Sequence, residues 1–115
     1  MTDPFKPHHA REHAALSPIE EKSVEALKAI FDPEIPINIY DLGLIYDIDV
    51  SPENRVKLTV TLTSPNCPEA ESLPGDMQRA VEAVEGVSGV DVDLVWEPPF
   101  TVEMMSDAAR LQLNL

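Results

Sequence analysis

The chain is poor in cysteine, in basic residues and in long apolar runs, and each shortage excludes a class of protein. Its 115 residues include one cysteine, which excludes an intrachain disulfide and any all-cysteine metal site within one subunit. Only 8 basic residues oppose 21 acidic ones, a net charge of −13, and an acidic surface repels phosphate backbones and anionic lipids. We therefore expect no nucleic-acid partner and no membrane partner.

The shortage of long apolar runs also indicates where in the cell the protein is located. No run approaches the ~20 residues that span a bilayer, and residues 1–11 contain no apolar core of a secretory signal. We therefore expect a cytoplasmic protein.

What the chain does have is a length and an apolar content suited to one folded domain. The apolar fraction is 43%, which is near the globular average and argues against disorder of the whole chain. Residues 1–16 contain three histidines and two prolines but no hydrophobic periodicity, so we predict a mobile N-terminal tail. Residues 17–115 are predicted to form a single domain.

Hydrophobic periodicity predicts three helices and three strands in this domain. The first helix should begin at Pro18, because Ser17 can cap it and proline suits the first helical position. Helical spacing predicts helices over 18–31, 74–85 and 103–113. Alternation of apolar and polar residues, typical of strands buried on one face, predicts strands over 44–50, 56–62 and 90–96.

The alternation also predicts the register of the first two strands. Their apolar residues can share a face only if the numbers of two paired residues add up to an even number. This register places oppositely charged residues side by side on the exposed face, which is favourable. The predicted pairs are Val50 with Val56, Asp49 with Lys57, Ile48 with Leu58, Tyr46 with Val60 and Leu44 with Leu62.

The element order α-β-β-α-β-α predicts an α+β fold, a two-layer sandwich with helices on one face of a three-stranded mixed sheet. A right-handed crossover makes the second and third strands parallel, and the most economical strand order is then 2-1-3. Three irregular segments should meet at one edge of such a sheet, where a site would be built. They are residues 32–43, 63–68 and 96–101.

Cys67 is the chemical candidate at this edge, in a loop between Pro65 and Pro68. The predicted register brings position 65 opposite Asp41, whose carboxylate is therefore expected near the thiol. The start of the following helix favours the thiolate, whereas burial and nearby carboxylates oppose it. The competing interpretation is a small buried hydrophobic residue, since free cysteine is among the most buried residue types.

Other candidate ligands have simpler explanations. Asp32, Glu34 and Asp41 could bind a hard cation, but such carboxylates also end helices and form turns. His9 and His13 have the spacing of a metal-binding pair on a helix, although a solvated tail is favoured. No phosphate-binding glycine loop, Ser-His-Asp set or zinc spacing is present.

Four short motifs in the irregular segments matter together. They are Asp-Pro-Glu-Ile-Pro at 32–36, Asp-Leu-Gly-Leu-Ile at 41–45, the 63–68 loop and Trp-Glu-Pro-Pro-Phe-Thr at 96–101. In this order and spacing they resemble the SufT/PaaD-like iron–sulfur cluster assembly family, over residues 17–115. The chain lacks the further cysteines of the phenylacetate-oxygenase branch, so it is most similar to the SUF-associated single-domain branch.

This resemblance implies an accessory factor, not an enzyme, that assists iron–sulfur cluster assembly or transfer, with Cys67 as the functional residue. The implied partners are SUF-type assembly proteins and iron–sulfur client proteins. The side chains expected near the thiol are Asp41, Thr63, Asn66, Asp32 and Glu34. One cysteine supplies one of the usual four cluster ligands, so we expect a transient cluster that is shared across a homodimer or with a partner, or no stored iron.

Two other functions stay open. A structural adaptor would use Cys67 only for packing, and a Cys67→Ser variant would still support client maturation. A thiol-dependent enzyme would need a base beside the cysteine, yet all three histidines lie in the predicted tail.

Overall fold

The computed structural model describes residues 7–8, 17–32, 37–62 and 72–114. A three-stranded mixed sheet is combined there with four helices, which confirms the predicted α+β class. The elements are α1 (Pro18–Lys28), α2 (Ile39–Leu42), β1 (Ile45–Val50), β2 (Arg55–Val60), α3 (Leu73–Glu82), β3 (Gly89–Leu94), one turn of 3₁₀-helix (Val102–Met104) and α4 (Asp107–Gln112). No helix in the described part is long and apolar enough to cross a membrane.

Helix α1 begins where the sequence predicts and ends earlier. The Ser17 hydroxyl accepts a hydrogen bond from the N–H of Glu20 at 3.1 Å, which caps the helix. The helix stops at Lys28 because the backbone of residues 30–32 hydrogen-bonds across to residues 37–39 instead. Backbone groups used in that bridge are not free to continue the helix.

The later helices also differ in their bounds from the predicted ones. Helix α3 ends at Glu82, before the predicted residue 85. The segment predicted as one helix is divided by Ser106, whose hydroxyl caps α4 by accepting from the N–H of Ala109 at 3.1 Å. Helix α2 is absent from the prediction, although its single turn has a cap at each end.

The predicted strand order 2-1-3 is wrong, because β2 lies in the centre of the sheet. β1 pairs with β2 antiparallel and β2 pairs with β3 parallel, so the order is β1-β2-β3. Charge gives the physical reason. Lys57 of β2 lies between Asp49 and Asp91, whereas order 2-1-3 would place the aspartates of β1 beside those of β3, and like charges on neighbouring strands are destabilising.

The register of β1 and β2 is confirmed near their connecting turn and wrong farther from it. Val50 pairs with Val56, Asp49 with Lys57 and Ile48 with Leu58, as predicted. Beyond them the register shifts at a β-bulge, so that Ile45 rather than Tyr46 pairs with Val60. The extra residue, Tyr46, donates its hydroxyl hydrogen bond to the carbonyl oxygen of Pro98 at 2.6 Å.

The hydrophobic core lies between one face of the sheet and helices α1 and α3. Val56, Leu58 and Val60 of β2 are completely buried there, together with Leu27 of α1 and Met77 of α3. The other face carries charged side chains and is exposed. Close packing on the core side holds the ends of the strands in fixed positions.

Of residues 1–16, the predicted tail, the structure describes only Pro7 and His8. His8 is buried, with 1% of its surface exposed, which differs from the solvated side chains expected of a tail. The rest of the segment lies outside the described residues, so its mobility stays a prediction.

Candidate functional site

One end of the sheet, here called the rim, is marked by three residues in line across the strands. Ile45 at the start of β1 pairs with Val60 at the end of β2, which pairs with Leu94 at the end of β3. The segment before β1 and the segment after β3 therefore join the sheet at the same end, as predicted. This does not depend on which strand is central.

Two backbone hydrogen bonds extend the sheet at the rim. The N–H of Thr61 donates to the carbonyl of Leu44 at 2.9 Å, and the N–H of Val95 donates to the carbonyl of Val60 at 2.8 Å. The bond to Thr61 replaces the predicted pairing of Leu44 with Leu62, which is wrong because of the bulge in β1. The hydrogen-bonded sheet thus continues at the rim as far as Thr61 and Val95.

Asp41 lies beside this rim in helix α2, where its carboxylate and backbone are both held. Its N–H donates to the side-chain oxygen of Asn38, and the Asn38 amide donates back to its carboxylate Oδ2, each at 2.8 Å. Its carbonyl oxygen accepts from the N–H of Ser106 at 2.8 Å. These contacts fix the one predicted site carboxylate that belongs to a described helix.

Glycine at position 43 makes this arrangement possible. Gly43 ends α2 in the left-handed region, with φ 96°, which is strained for other residues. Its Cα also faces the backbone of Met104, so closely that an added Cβ would overlap the Met104 carbonyl oxygen. The C-terminal segment can therefore lie directly against α2 only because this residue has no side chain.

The remaining predicted site residues are placed only in part. Asp32 is buried, with 6% of its surface exposed. Glu34, Thr63, Asn66 and Cys67 lie outside the described residues, so their roles stay predictions. The chain leaves the described part after Leu62, at the rim, and returns at Ser72 before α3.

The proposed hard-cation site finds no support in the described residues. No group of three or more histidine, cysteine, aspartate or glutamate side chains that could hold a metal ion occurs among them. Asp41 is engaged by Asn38, which agrees with the alternative that this carboxylate belongs to turn and helix-cap chemistry. Glu34, the third predicted ligand, is not among the described residues.

Sequence reasoning missed a buried contact behind the rim. The Tyr46 hydroxyl, which donates to Pro98, also lies 3.4 Å from the sulfur of Met104. Burial raises the pKa of Tyr46; the nearby Thr61 hydroxyl opposes this shift, and Glu97 adds to it. The signal available in the sequence was a tyrosine in an apolar strand position, whose hydroxyl needs a partner when buried.

Trp96 lies two residues after the end of β3. Its side chain remains 42% exposed at the rim end of the strand. The strand itself stops at Leu94, before the predicted residue 96. An exposed aromatic ring therefore borders the rim.

The exposed face of the sheet carries a charged surface of alternating sign. Arg55 makes two hydrogen bonds of 2.7 Å to the carboxylate of Asp91, and this contact lowers the pKa of Asp91. Lys57 lies between Asp49 and Asp91. The aspartates on this face, called the acidic face below, are Asp47, Asp49, Asp91 and Asp93.

These features define the class of protein, a small α+β protein in which the ends of three strands form a rim at one end of a mixed sheet. Residues 20–93 match the family of iron–sulfur cluster assembly proteins, and the chain belongs to that family. The resemblance found from the four motifs is thereby confirmed.

Curated relatives carry consistent names. The chain is 50% identical over 95 residues to an Fe–S protein maturation auxiliary factor of Porphyromonas gingivalis, which covers 83% of this chain and 90% of that protein. It is 33% identical over 86 residues to the Fe–S protein maturation auxiliary factor SufT of Staphylococcus aureus, covering 75% and 98% respectively. A Mycobacterium tuberculosis iron–sulfur cluster carrier protein is 34% identical over 89 residues, 77% of this chain but 21% of that protein.

A solved structure has the same fold. A domain of unknown function from Bacillus anthracis superposes with a TM-score of 0.78 at 35% identity, covering 84% of this chain and 92% of that one. The likeness therefore extends over most of the length of both chains.

Proposed function

We propose that this protein is an accessory factor for iron–sulfur cluster assembly, or for cluster transfer to client proteins, and that it acts through Cys67. The observation that supports this most strongly is its relationship to proteins named Fe–S protein maturation auxiliary factors. In this proposal the chain assists other proteins and catalyses no reaction of its own. It acts in the cytoplasm, without nucleic acid or membrane.

The rim suits such a role because the segment that contains Cys67 follows directly in the chain from this end of the sheet. Thr61 and Leu62 are buried at the end of β2, directly before the segment that contains Cys67. Asp41, three residues before Leu44, is held by Asn38 and by the backbone of Ser106. Functional groups are commonly carried by loops that a rigid scaffold positions. We propose that the side chains near the thiol are Asp41, Thr63, Asn66, Asp32 and Glu34.

Cluster chemistry limits what one subunit can do. An iron–sulfur cluster usually takes four ligands, mostly thiolates, and this chain supplies one cysteine. The cluster is therefore cargo, with Cys67 as a transient ligand, and its other ligands come from a second copy of the chain or from a partner. Alternatively, the protein brings a carrier and a client together without storing iron. A monomer that retains a stoichiometric cluster after anaerobic reconstitution would contradict both forms of the proposal.

The acidic face gives the proposed partners a charge preference. The net charge of −13 and the exposed aspartates favour SUF-type assembly proteins or clients through basic surfaces, and added salt should weaken such association. Association with a purified SUF scaffold protein, measured at increasing salt concentration, tests this point. Binding that stays constant or strengthens with salt would show that the acidic face does not contribute.

The experiment that tests the proposed function is replacement of Cys67 by serine in cells that depend on the protein for client maturation. We expect a folded variant, verified by circular dichroism and thermal unfolding, that no longer supports client enzyme activity. Full client activity would instead identify a structural adaptor whose cysteine only packs.

A further inference from the structure

Strand β3 is an edge strand, and its pairing with β2 shows which of its backbone groups point outward. In the described part of the chain, β3 pairs with β2 alone. In a parallel ladder, every second residue bonds to the neighbouring strand through both its N–H and its C=O. The N–H of Val95 donates to the carbonyl of Val60 in β2, so the odd-numbered residues of this segment bond to β2. The N–H and C=O groups of Val90, Val92 and Leu94 therefore point away from β2.

These outward groups are covered at the start of β3 and open toward its end. The carbonyl oxygen of Val90 lies 3.5 Å from Nε2 of Gln78 in α3, and Val90 is buried. Val92 and Leu94 are only partly buried. Within the described residues, no turn, loop or cap uses their backbone groups. An edge strand with such outward groups is a template for pairing with another extended chain.

Strand β3 also lacks several features that commonly protect an edge strand, namely proline, lysine and a β-bulge. Its sequence, Gly-Val-Asp-Val-Asp-Leu, contains neither proline nor lysine, and all six residues pair in register with β2. The other edge strand, β1, contains the bulge at Tyr46. The charges that β3 does carry, those of Asp91 and Asp93, repel an acidic strand and attract a basic one.

The side chains of β3 define the kind of strand that would fit beside it. Arg55 already binds the carboxylate of Asp91. Asp93 is exposed and lies beside Thr59 of β2, which is uncharged, so its carboxylate can attract a basic side chain on its other side. On the opposite face, the partly buried apolar residues of β3 would pack against apolar side chains. The fitting strand therefore alternates basic and apolar residues.

A second copy of β3 does not fit this description. Antiparallel pairing centred on Val92 would place Asp91 opposite Asp93 of the second copy at two positions, and like charges directly opposite each other are destabilising. A register centred on Asp93 would place this residue opposite itself. The edge is therefore unsuited to pairing with itself.

We propose that β3 is a docking edge for an extended segment of another protein, in which basic and apolar residues alternate. The segment adds a fourth strand to the sheet, so that backbone hydrogen bonds supply affinity and alternate side chains supply specificity. This interaction requires neither Cys67 nor a cluster. It goes beyond the proposed function, and its test gives a result whether or not Cys67 acts in cluster assembly.

A synthetic peptide tests the docking edge on the full chain. The probe is a capped heptapeptide in which lysine and valine alternate, titrated into the isotope-labelled protein and followed by NMR. We expect saturable shifts of the amide signals of Val92 and Leu94, whose N–H groups point outward, and smaller shifts in β1. Failure to saturate at these two amides up to a millimolar peptide concentration, or larger shifts in β1, would overturn the proposal.

Altered peptides separate strand pairing from attraction between charges. One peptide is N-methylated at every valine and another at every lysine, because the direction of the added strand decides which nitrogens face β3. One of the two should bind about tenfold or more weakly, since its hydrogen bonds to β3 are lost. A peptide of the same composition with its lysines grouped at one end should also bind more weakly than the alternating peptide. Unchanged binding of both methylated peptides, or of the grouped peptide, would contradict strand addition.

Two charge reversals locate the binding site on the protein. Asp93→Lys should weaken binding of the alternating peptide about fivefold. Asp49→Lys, at an exposed position on the opposite edge strand, changes the net charge equally and should weaken binding less than about twofold at physiological salt. Circular dichroism verifies that both variants are folded. Equal losses in the two variants would show that the peptide responds to net charge and not to β3.

Discussion

The close approach of Gly43 to Met104 allows the most specific prediction of a change in stability. In Gly43→Ala, the new methyl group would overlap the Met104 carbonyl oxygen and lie 2.9 Å from the carbonyl carbon. The contact is with backbone, which cannot rotate away. Alanine must also adopt φ near 96°, which costs about 1–2 kcal/mol, and displacement of packed backbone adds about 1–3 kcal/mol. We expect the free energy of unfolding to fall by about 2–5 kcal/mol.

Gly86→Ala is the matched control because it has the backbone strain without the overlap. Gly86 has φ 97°, and its added Cβ would lie 3.5 Å from Ile19 Cδ1, an ordinary van der Waals contact. The free energy of unfolding of this variant should therefore fall by only about 1–2 kcal/mol. Urea unfolding followed by circular dichroism measures both losses. If Gly43→Ala were no more destabilising than Gly86→Ala, the C-terminal segment would not lie against α2 as described.

Two tyrosines give further predictions. Tyr46→Phe removes the hydrogen bond to the Pro98 carbonyl, so urea unfolding should show a loss of about 1 kcal/mol; no loss would mean that the bond is absent in solution. Burial raises the pKa of Tyr40 from 10.0 to about 12 in the folded protein. The stability gained by keeping the phenol protonated is therefore complete below pH 10 and is lost as the pH rises through 12. Between pH 10 and pH 12 the free energy of unfolding of the wild type should fall by at most about 3 kcal/mol more than that of Tyr40→Phe. Parallel pH profiles of the two proteins would refute this.

The sequence predicts the fold well where one physical signal dominates. Period-two alternation identifies all three strands, and Ser17 before Pro18 places the start of α1. The predicted strand order is wrong because the economy of the crossover does not account for the repulsion between the aspartates of β1 and β3. The charge argument was available in the sequence.

Other differences depend on contacts between segments far apart in the chain. The bulge in β1 arises where Tyr46 reaches Pro98, and alternation within one strand contains no trace of that partner. Asn38 and Gly43 are good cap residues for α2, but a single turn is too short to show helical periodicity.

The candidate site is predicted to a similar extent. Asp41 belongs to the segment that precedes β1, and that segment begins at the rim whichever strand is central. Its bonding to Asn38 and Ser106 required the structure. The burial of His8 could not be predicted, since a lone histidine in an aperiodic segment has the pattern of a solvated residue.

The central claim, that the position of one thiol carries the function, is tested most directly by moving that thiol. Ser88 is exposed and immediately precedes β3, at the end of the sheet opposite the rim, so Cys67→Ser combined with Ser88→Cys keeps one cysteine per chain. In cells that depend on the protein, we predict that Cys67→Ser and the relocated-thiol variant both leave client enzymes inactive, although both proteins accumulate folded. Wild-type client activity in Cys67→Ser, or its recovery on adding Ser88→Cys, would contradict the account.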